Sequence, residues 1–268
     1  MAELGGASVL ASRLNLRLTT AREYARPTSF LELDWIWIFL QPLTAYISRV
    51  QQSSRKFPWL VWLVAGVIVI AAGFALDNRA QTALNVLGNP HLKGFAWWLS
   101  KSAEGEIIGG LGILLAIICF IRRQQLLAGR IFFVFASALL IGLAGTIIRT
   151  LTGRTRPGIH APPDVAQGFY GIWHDGHFIL GHAAFNAFPS GHSAVAAGLA
   201  ATVTLMNRTW GAVAWIYAVA VMWSRVALQW HHLSDVLASA ILAWPLAWFL
   251  KKHLAPTIEW HCENFSRR

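Results

Sequence analysis

Residues 131–157 read IFFVFASALLIGLAGTIIRTLTGRTRP, an uncharged apolar run that ends on Arg149, Arg154, Arg156 and Pro157. The eighteen positions 131–148 hold no ionisable side chain, close to the ~20 residues a helix needs to cross a bilayer. In hydrocarbon every backbone N–H and C=O must be bonded within the structure, and a run this continuous predicts a helix and excludes a barrel strand. Five further runs lie at 58–76, 106–121, 191–206, 210–223 and 237–250. Several are short for a span, but their polar flanks can extend each helix. The expected fold is an all-α membrane protein, a bundle of six transmembrane helices with an N-terminal interfacial helix.

That interfacial helix is expected at 35–47, where Trp35-Ile-Trp37-Ile-Phe-Leu40 is broken by Gln41-Pro42 before Leu43–Ile47. The stretch is too short to span, and Trp35 and Trp37 suit headgroup depth. Pro58 fits the first turn of the helix that follows, where its missing N–H costs nothing. The chain therefore divides into a segment 1–57, a six-span domain 58–250 and a C-terminal tail 251–268.

Composition agrees. The 268 residues are 56% hydrophobic and 13% charged, with 14 Trp and a mean hydropathy of +0.49. Charged residues stand at half the share of about 25% usual in soluble domains. The formal charge of +10 is scattered over short loops, with no basic stripe and no nucleic-acid motif. Cys119 lies in an apolar run and Cys262 in the tail, so neither a disulfide nor a metal pair is expected. No apolar core of a signal peptide occurs in the first thirty residues. No obligate protein partner is evident.

Charge also predicts sidedness. With six spans, the N-terminus, second loop, fourth loop and C-terminus share one face and carry 15 of the 22 Lys and Arg. Four of the other seven (Arg149, Arg154, Arg156, Arg225) belong to polar clusters. The positive-inside rule places both termini in the cytoplasm and the clusters on the far face.

Three clusters share that face. The first is Arg149–Pro157, with three guanidiniums. Arg149 and Arg156 are seven apart, two turns along one helix face if the third span continues that far. Their planar forks match phosphate oxygens in pairs. The second is Pro189-Ser190-Gly191-His192, which opens the fourth helix. Free N–H groups and the positive end of the dipole hold anions there, and Gly191 allows close approach. His192 is placed to act as a general acid. In the third, Ser224-Arg225 is followed by His231 and Asp235. His231 and Asp235 are four apart on a helix, so the carboxylate can accept the Nδ1–H and leave Nε2 free to attack. His232 meets neither spacing and is read as a neighbour. Taken singly, each cluster has a plain alternative: a water-facing helix boundary, an ordinary Ser cap or a positive membrane edge.

In conjunction they resemble the type 2 phosphatidic acid phosphatase superfamily, whose pattern is Lys-x6-Arg-Pro, then Pro-Ser-Gly-His, then Ser-Arg-x5-His-x3-Asp. Vanadium-dependent haloperoxidases share that constellation. The resemblance spans 149–235 by motif and departs at one position, where Arg149 replaces the leading Lys. It implies that His231 is the nucleophile that forms a phosphohistidine, oriented by Asp235. It further implies that His192 protonates the leaving group, and that Arg149, Arg156, Ser190, Gly191 and Arg225 hold the phosphoryl oxygens. No metal and no cofactor are implied.

The expected function is hydrolysis of a lipid phosphate monoester or pyrophosphate, at a multi-pass protein of a bacterial inner membrane with its site on the outer, periplasmic face. Transfer of phosphate between lipids is an alternative. A transporter would favour charges within the spans, and the six apolar runs hold none inside their ends, Glu106 standing at the first position of one. His174, His177 and His182 in the long 149–189 connection lack helical metal-ligand spacing, and loop histidines near a phosphate path are the better reading.

Overall fold

The computed structural model describes residues 57–266, which fall within one compact unit. The expected interfacial helix at 35–47 lies outside the described residues. Eight α-helices occur among them: α1 Trp59–Ala83, α2 Pro90–Ser102, α3 Gly105–Ile121, α4 Gln125–Thr152, α5 Gly191–Met206, α6 Arg208–Ala227, α7 Leu233–His253 and α8 Ala255–Ser266.

All six predicted runs are helical. Helices α1, α4, α6 and α7 are long and apolar enough to cross a membrane singly. Helix α3 qualifies only together with α2, to which it is bent by 57°, and α5 is a shorter apolar helix. Length and composition thus support four or five spans where six are expected.

Two helices depart from the expected layout. Helix α2 begins where Asn89 accepts bonds from the N–H groups of His91 and Leu92, with Pro90 in the first turn. This is standard N-terminal chemistry, but α2 is amphipathic and lacks a continuous apolar run. Helix α8 falls in the predicted tail and packs on α4, where Glu259 accepts from Arg130 Nε at 3.2 Å.

Helix α5 is the hub, packed against α4, α6 and α7. Its sequence GHSAVAAGLAATVTLM is built from small residues, and most of it is buried. Small side chains let helix backbones approach closely where lipid removes the hydrophobic drive for association. A Cβ on Gly142 of α4 would lie 2.3 Å from Val195 Cγ2 of α5, which leaves no room for a side chain there.

Helix α1 touches the bundle along one stripe. Its buried residues are Gly66, Gly73 and Asp77, spaced by seven and four along one helical face. A Cβ on Gly73 would meet the Cα of Ser234 on α7 at 2.9 Å. The rest of α1 presents Leu60, Val64, Val67 and Ile68 outward, as a lipid-facing helix should. The close seam carries Asp77 to the start of α7, where the chemistry lies.

Candidate active site

The site lies where α4, α5, α6 and α7 end or begin, beneath the long 153–190 connection. Helix α4 stops at Thr152 because Gly153 adopts φ +58°. Any Cβ at Gly153 would also fall 1.8 Å from the Gly171 carbonyl oxygen, so only glycine fits this left-handed turn. The chain beyond is held on both sides. Thr155 N–H donates to Gly168 O, Arg156 N–H to Ala184 O, and Ala187 N–H to Arg154 O. Arg149 therefore comes from α4 and Arg156 from the ordered loop, so the expected shared helix face does not form.

The remaining components come from helix ends. Ser190 caps α5, its Oγ accepting from Ser193 N–H at 3.4 Å, so Gly191 and His192 open the helix as expected. Arg225 ends α6 and donates through Nη1 to Ser100 Oγ at 2.6 Å. After α6 the backbone turns through Gln229, at φ +61°, and sets His231 just ahead of α7.

His231 is fully buried. Its Nδ1 lies 2.7 Å from the carbonyl oxygen of Ala187. A carbonyl only accepts, so Nδ1 carries the hydrogen and Nε2 keeps its lone pair. The expected bond from Nδ1 to Asp235 is not formed, since Oδ2 stands 3.5 Å away, beyond a good hydrogen bond. Oδ2 instead accepts from His232 N–H at 2.7 Å, and Oδ1 accepts from Arg154 Nη1. The carboxylate caps α7 and anchors Arg154, while a backbone carbonyl sets the imidazole tautomer.

Arg154 is turned away from the other guanidiniums. It bridges Asp235 and Asp77, donating to Asp77 Oδ2 at 2.8 Å and to Ser234 Oγ at 2.7 Å. Its guanidinium carbon lies 4.6 Å from the Phe74 ring centroid and 5.2 Å from that of Phe169. Asp77 also accepts from Ser234 N–H at 2.8 Å and from Ser234 Oγ at 2.7 Å. One turn along α1, Gln81 donates to His231 O at 2.7 Å and accepts from Gln229 at 2.9 Å. Asp77, Gln81 and the Ala187 carbonyl are absent from the sequence reading, because no local pattern reports a contact more than forty residues away.

Around the free Nε2 of His231 several polar atoms have no internal partner. The Nε atoms of Arg149, Arg156 and Arg225 and the Nε2 of His231 are buried without a hydrogen bond. Such atoms are costly unless an anion or water meets them. Arg156 and Arg225 also lie over the Trp230 ring, at 4.8 and 5.5 Å from its centroid. Burial, and then the nearby Arg149, push the Arg156 pKa down to about 10. Burial and the guanidiniums of Arg225 and Arg156 hold the His231 pKa well below the ordinary histidine range, which keeps Nε2 unprotonated at neutral pH.

His192 and Gly191 line a cavity of about 380 Å³ with Arg149, Thr146, Glu104 and Glu106, walled by Leu139, Leu143 and Val195. Among the described residues no group of three or more His, Cys, Asp or Glu side chains is arranged to hold a metal ion. His174 and His182 pack against Phe185, at 5.7 and 5.8 Å between ring centroids.

The PAP2 superfamily matches residues 130–256. The structure is similar to that of a transmembrane PAP2-type phosphatidylglycerolphosphate phosphatase from Bacillus subtilis, at 21% identity and a TM-score of 0.47, covering 72% of this chain and 94% of that one. It is also similar to LpxE of Aquifex aeolicus, at 19% identity and a TM-score of 0.45, covering 66% and 96% of the two chains. No curated protein matches the chain significantly in sequence.

Proposed function

Because residues 130–256 of this chain belong to the PAP2 superfamily, we propose that the protein is an integral membrane lipid phosphatase acting through a phosphohistidine. The carrying observation is the buried Nε2 of His231, unpaired and with its lone pair free, beside the guanidiniums of Arg149, Arg156 and Arg225, whose Nε atoms are also buried and unpaired. A phosphoryl group placed between them meets a nucleophile and a ring of positive charge together.

The steps balance. His231 Nε2 gives its lone pair to phosphorus as the bond to the leaving oxygen breaks. His192 gives that oxygen a proton and releases the dephosphorylated lipid. Water then attacks phosphorus, His192 takes one water proton, and the P–N bond breaks to restore the neutral imidazole and free phosphate. Arg149, Arg156 and Arg225 offset the charge on the non-bridging oxygens throughout, with Gly191 and the start of α5 close to them. Ser190 Oγ accepts from Ser193 N–H and from Ser193 Oγ, which fixes the helix start and leaves its own O–H to donate to a phosphoryl oxygen. Asp235 acts from behind, by anchoring Arg154 and the start of α7. No step uses a metal.

The substrate is a phosphate monoester or pyrophosphate of an amphiphile, reached at the end of the bundle that carries the site. Counted over the six expected spans, the charge distribution supports that end lying on the outer face with the termini in the cytoplasm, as in a bacterial inner membrane. The test is phosphate release by the purified protein from phosphatidic acid, phosphatidylglycerol phosphate, a polyprenyl pyrophosphate and a lipid A phosphate, each with excess chelator. Release that persists in chelator supports the proposal. Absence of release from all four by folded protein overturns it in favour of lipid-to-lipid transfer.

Arg149→Lys separates charge from shape. The unpaired Arg149 Nε faces no protein acceptor that lysine would abandon, and the positive charge is kept. The variant is expected to retain kcat/KM within about tenfold of wild type, with the loss arising from the missing bidentate fork. Steady-state kinetics on the best lipid substrate check this.

A further inference from the structure

The connection that supplies Arg154, Arg156 and the Ala187 carbonyl also carries a small β-hairpin, β1 Trp173–His174 and β2 His177–Phe178. Asp175 and Gly176 turn it with φ +46° and +78°, and two successive positive φ values are the signature of a tight I′ turn. Side chains alternate across a strand pair, and the register matches Trp173 with Phe178 and His174 with His177. The His174 ring packs inward, 4.3 Å from Tyr170 and 5.7 Å from Phe185. The other face holds Trp173 and Phe178, paired edge to face at 6.2 Å and 59% and 60% exposed.

These rings do not stand alone. Ile172 and Leu180 beside them are exposed, as is Phe169, which lies 6.0 Å from Phe74 on the lipid-facing helix α1. The apolar surface of the bundle therefore continues onto the connection. The tip stays polar, because the Asp175 side chain is 84% exposed. Aromatic rings beside a polar tip, at the ends of membrane-crossing helices, match the amphipathic level of a bilayer interface.

We infer that the Trp173–Phe178 face of this hairpin seats in the lipid headgroup layer at the end of the bundle that carries the site. Its occupant is the lipid surface itself. The hairpin and the site share one hydrogen-bonded connection, so this seat fixes the height of Arg156 and of the Ala187 carbonyl relative to lipid phosphates. The contact follows from exposure and continuity and does not require the protein to be a phosphatase.

The test reads lipid contact without turnover. A single cysteine at Phe178→Cys, with Cys119→Ser and Cys262→Ser, is labelled with an environment-sensitive fluorophore. The full chain is then reconstituted in phosphatidylethanolamine–phosphatidylglycerol vesicles. The expected result is a blue-shifted emission quenched by nitroxide lipids labelled near the headgroup, with weaker quenching for the same label at His177→Cys. Water-like emission overturns the inference. So does blue-shifted emission that lipid nitroxides leave unquenched, which signals burial against protein. In a second arm, Trp173→Ser with Phe178→Ser is expected to raise KM severalfold for lipid phosphate in vesicles while hydrolysis of a water-soluble phosphate monoester is unchanged. Equal loss on both substrates contradicts the inference, and absence of all hydrolysis in wild type falls on the proposed activity, leaving the fluorescence result to decide.

Discussion

His231→Ala is expected to abolish turnover, lowering kcat by at least about 10³-fold, because removing a nucleophile eliminates the route and not merely a contact. The cost to folding should be far smaller. The Ala187 carbonyl loses its partner at 2.7 Å, which amounts to about 1–3 kcal/mol for an unsatisfied buried acceptor. The variant should therefore fold and still bind inorganic phosphate through Arg149, Arg156 and Arg225. Phosphate release, thermal unfolding in detergent and phosphate binding are measured together. A folded His231→Ala protein with appreciable residual release would sink the nucleophile assignment. Quenching wild type during turnover into alkaline detergent should trap an acid-labile, base-stable phosphoprotein that the variant lacks.

Arg154→Ala is expected to give the largest loss of stability, about 3–5 kcal/mol, because it strands buried carboxylates without their counter-charge. Asp77 and Asp235 are both buried, and Arg154 is the cation that joins them. The same side chain covers Phe74 and Phe169, so packing is lost as well. Asp77→Asn should cost less, since an amide of the same shape can still accept from Ser234. Thermal unfolding of the three proteins in one detergent checks the order: wild type, then Asp77→Asn, then Arg154→Ala. Equal stability of Arg154→Ala and wild type would show that the bridge does not hold α1 to α7. If Arg154→Ala is recovered folded, its turnover should fall as well, because Arg154 sets the segment that carries Arg156 and the Ala187 carbonyl. Its affinity for phosphate should then weaken more than that of His231→Ala.

Much of the fold is legible because lipid imposes a local rule. A segment that crosses hydrocarbon must satisfy its own backbone, so an uninterrupted apolar run such as 131–148 declares a helix from composition alone. Helix α2 escapes that rule because it is amphipathic, although Asn89-Pro90 is a start signal. The hairpin carries a readable signal too, Asp175-Gly176 between Trp-His and His-Phe, but the histidines around it draw the eye to metal ligation. Helix α8 is visible only through its packing on α4.

Spacing and the family resemblance name Arg149, Arg156, Ser190, Gly191, His192, Arg225, His231 and Asp235, and the apolar runs put all of them except Arg156 near helix ends. Spacing cannot say which atom meets which. Asp235 lies four residues from His231, as orientation of the ring would require, yet the ring nitrogen bonds the Ala187 carbonyl and the carboxylate bonds Arg154. Arg154 reads like its neighbours in the sequence, and only the arrival of Asp77 from α1 turns it into a structural ion pair. A helix end and a charge are local properties of the chain, whereas the partner of a buried polar group is decided by whichever distant segment packing brings within hydrogen-bond reach.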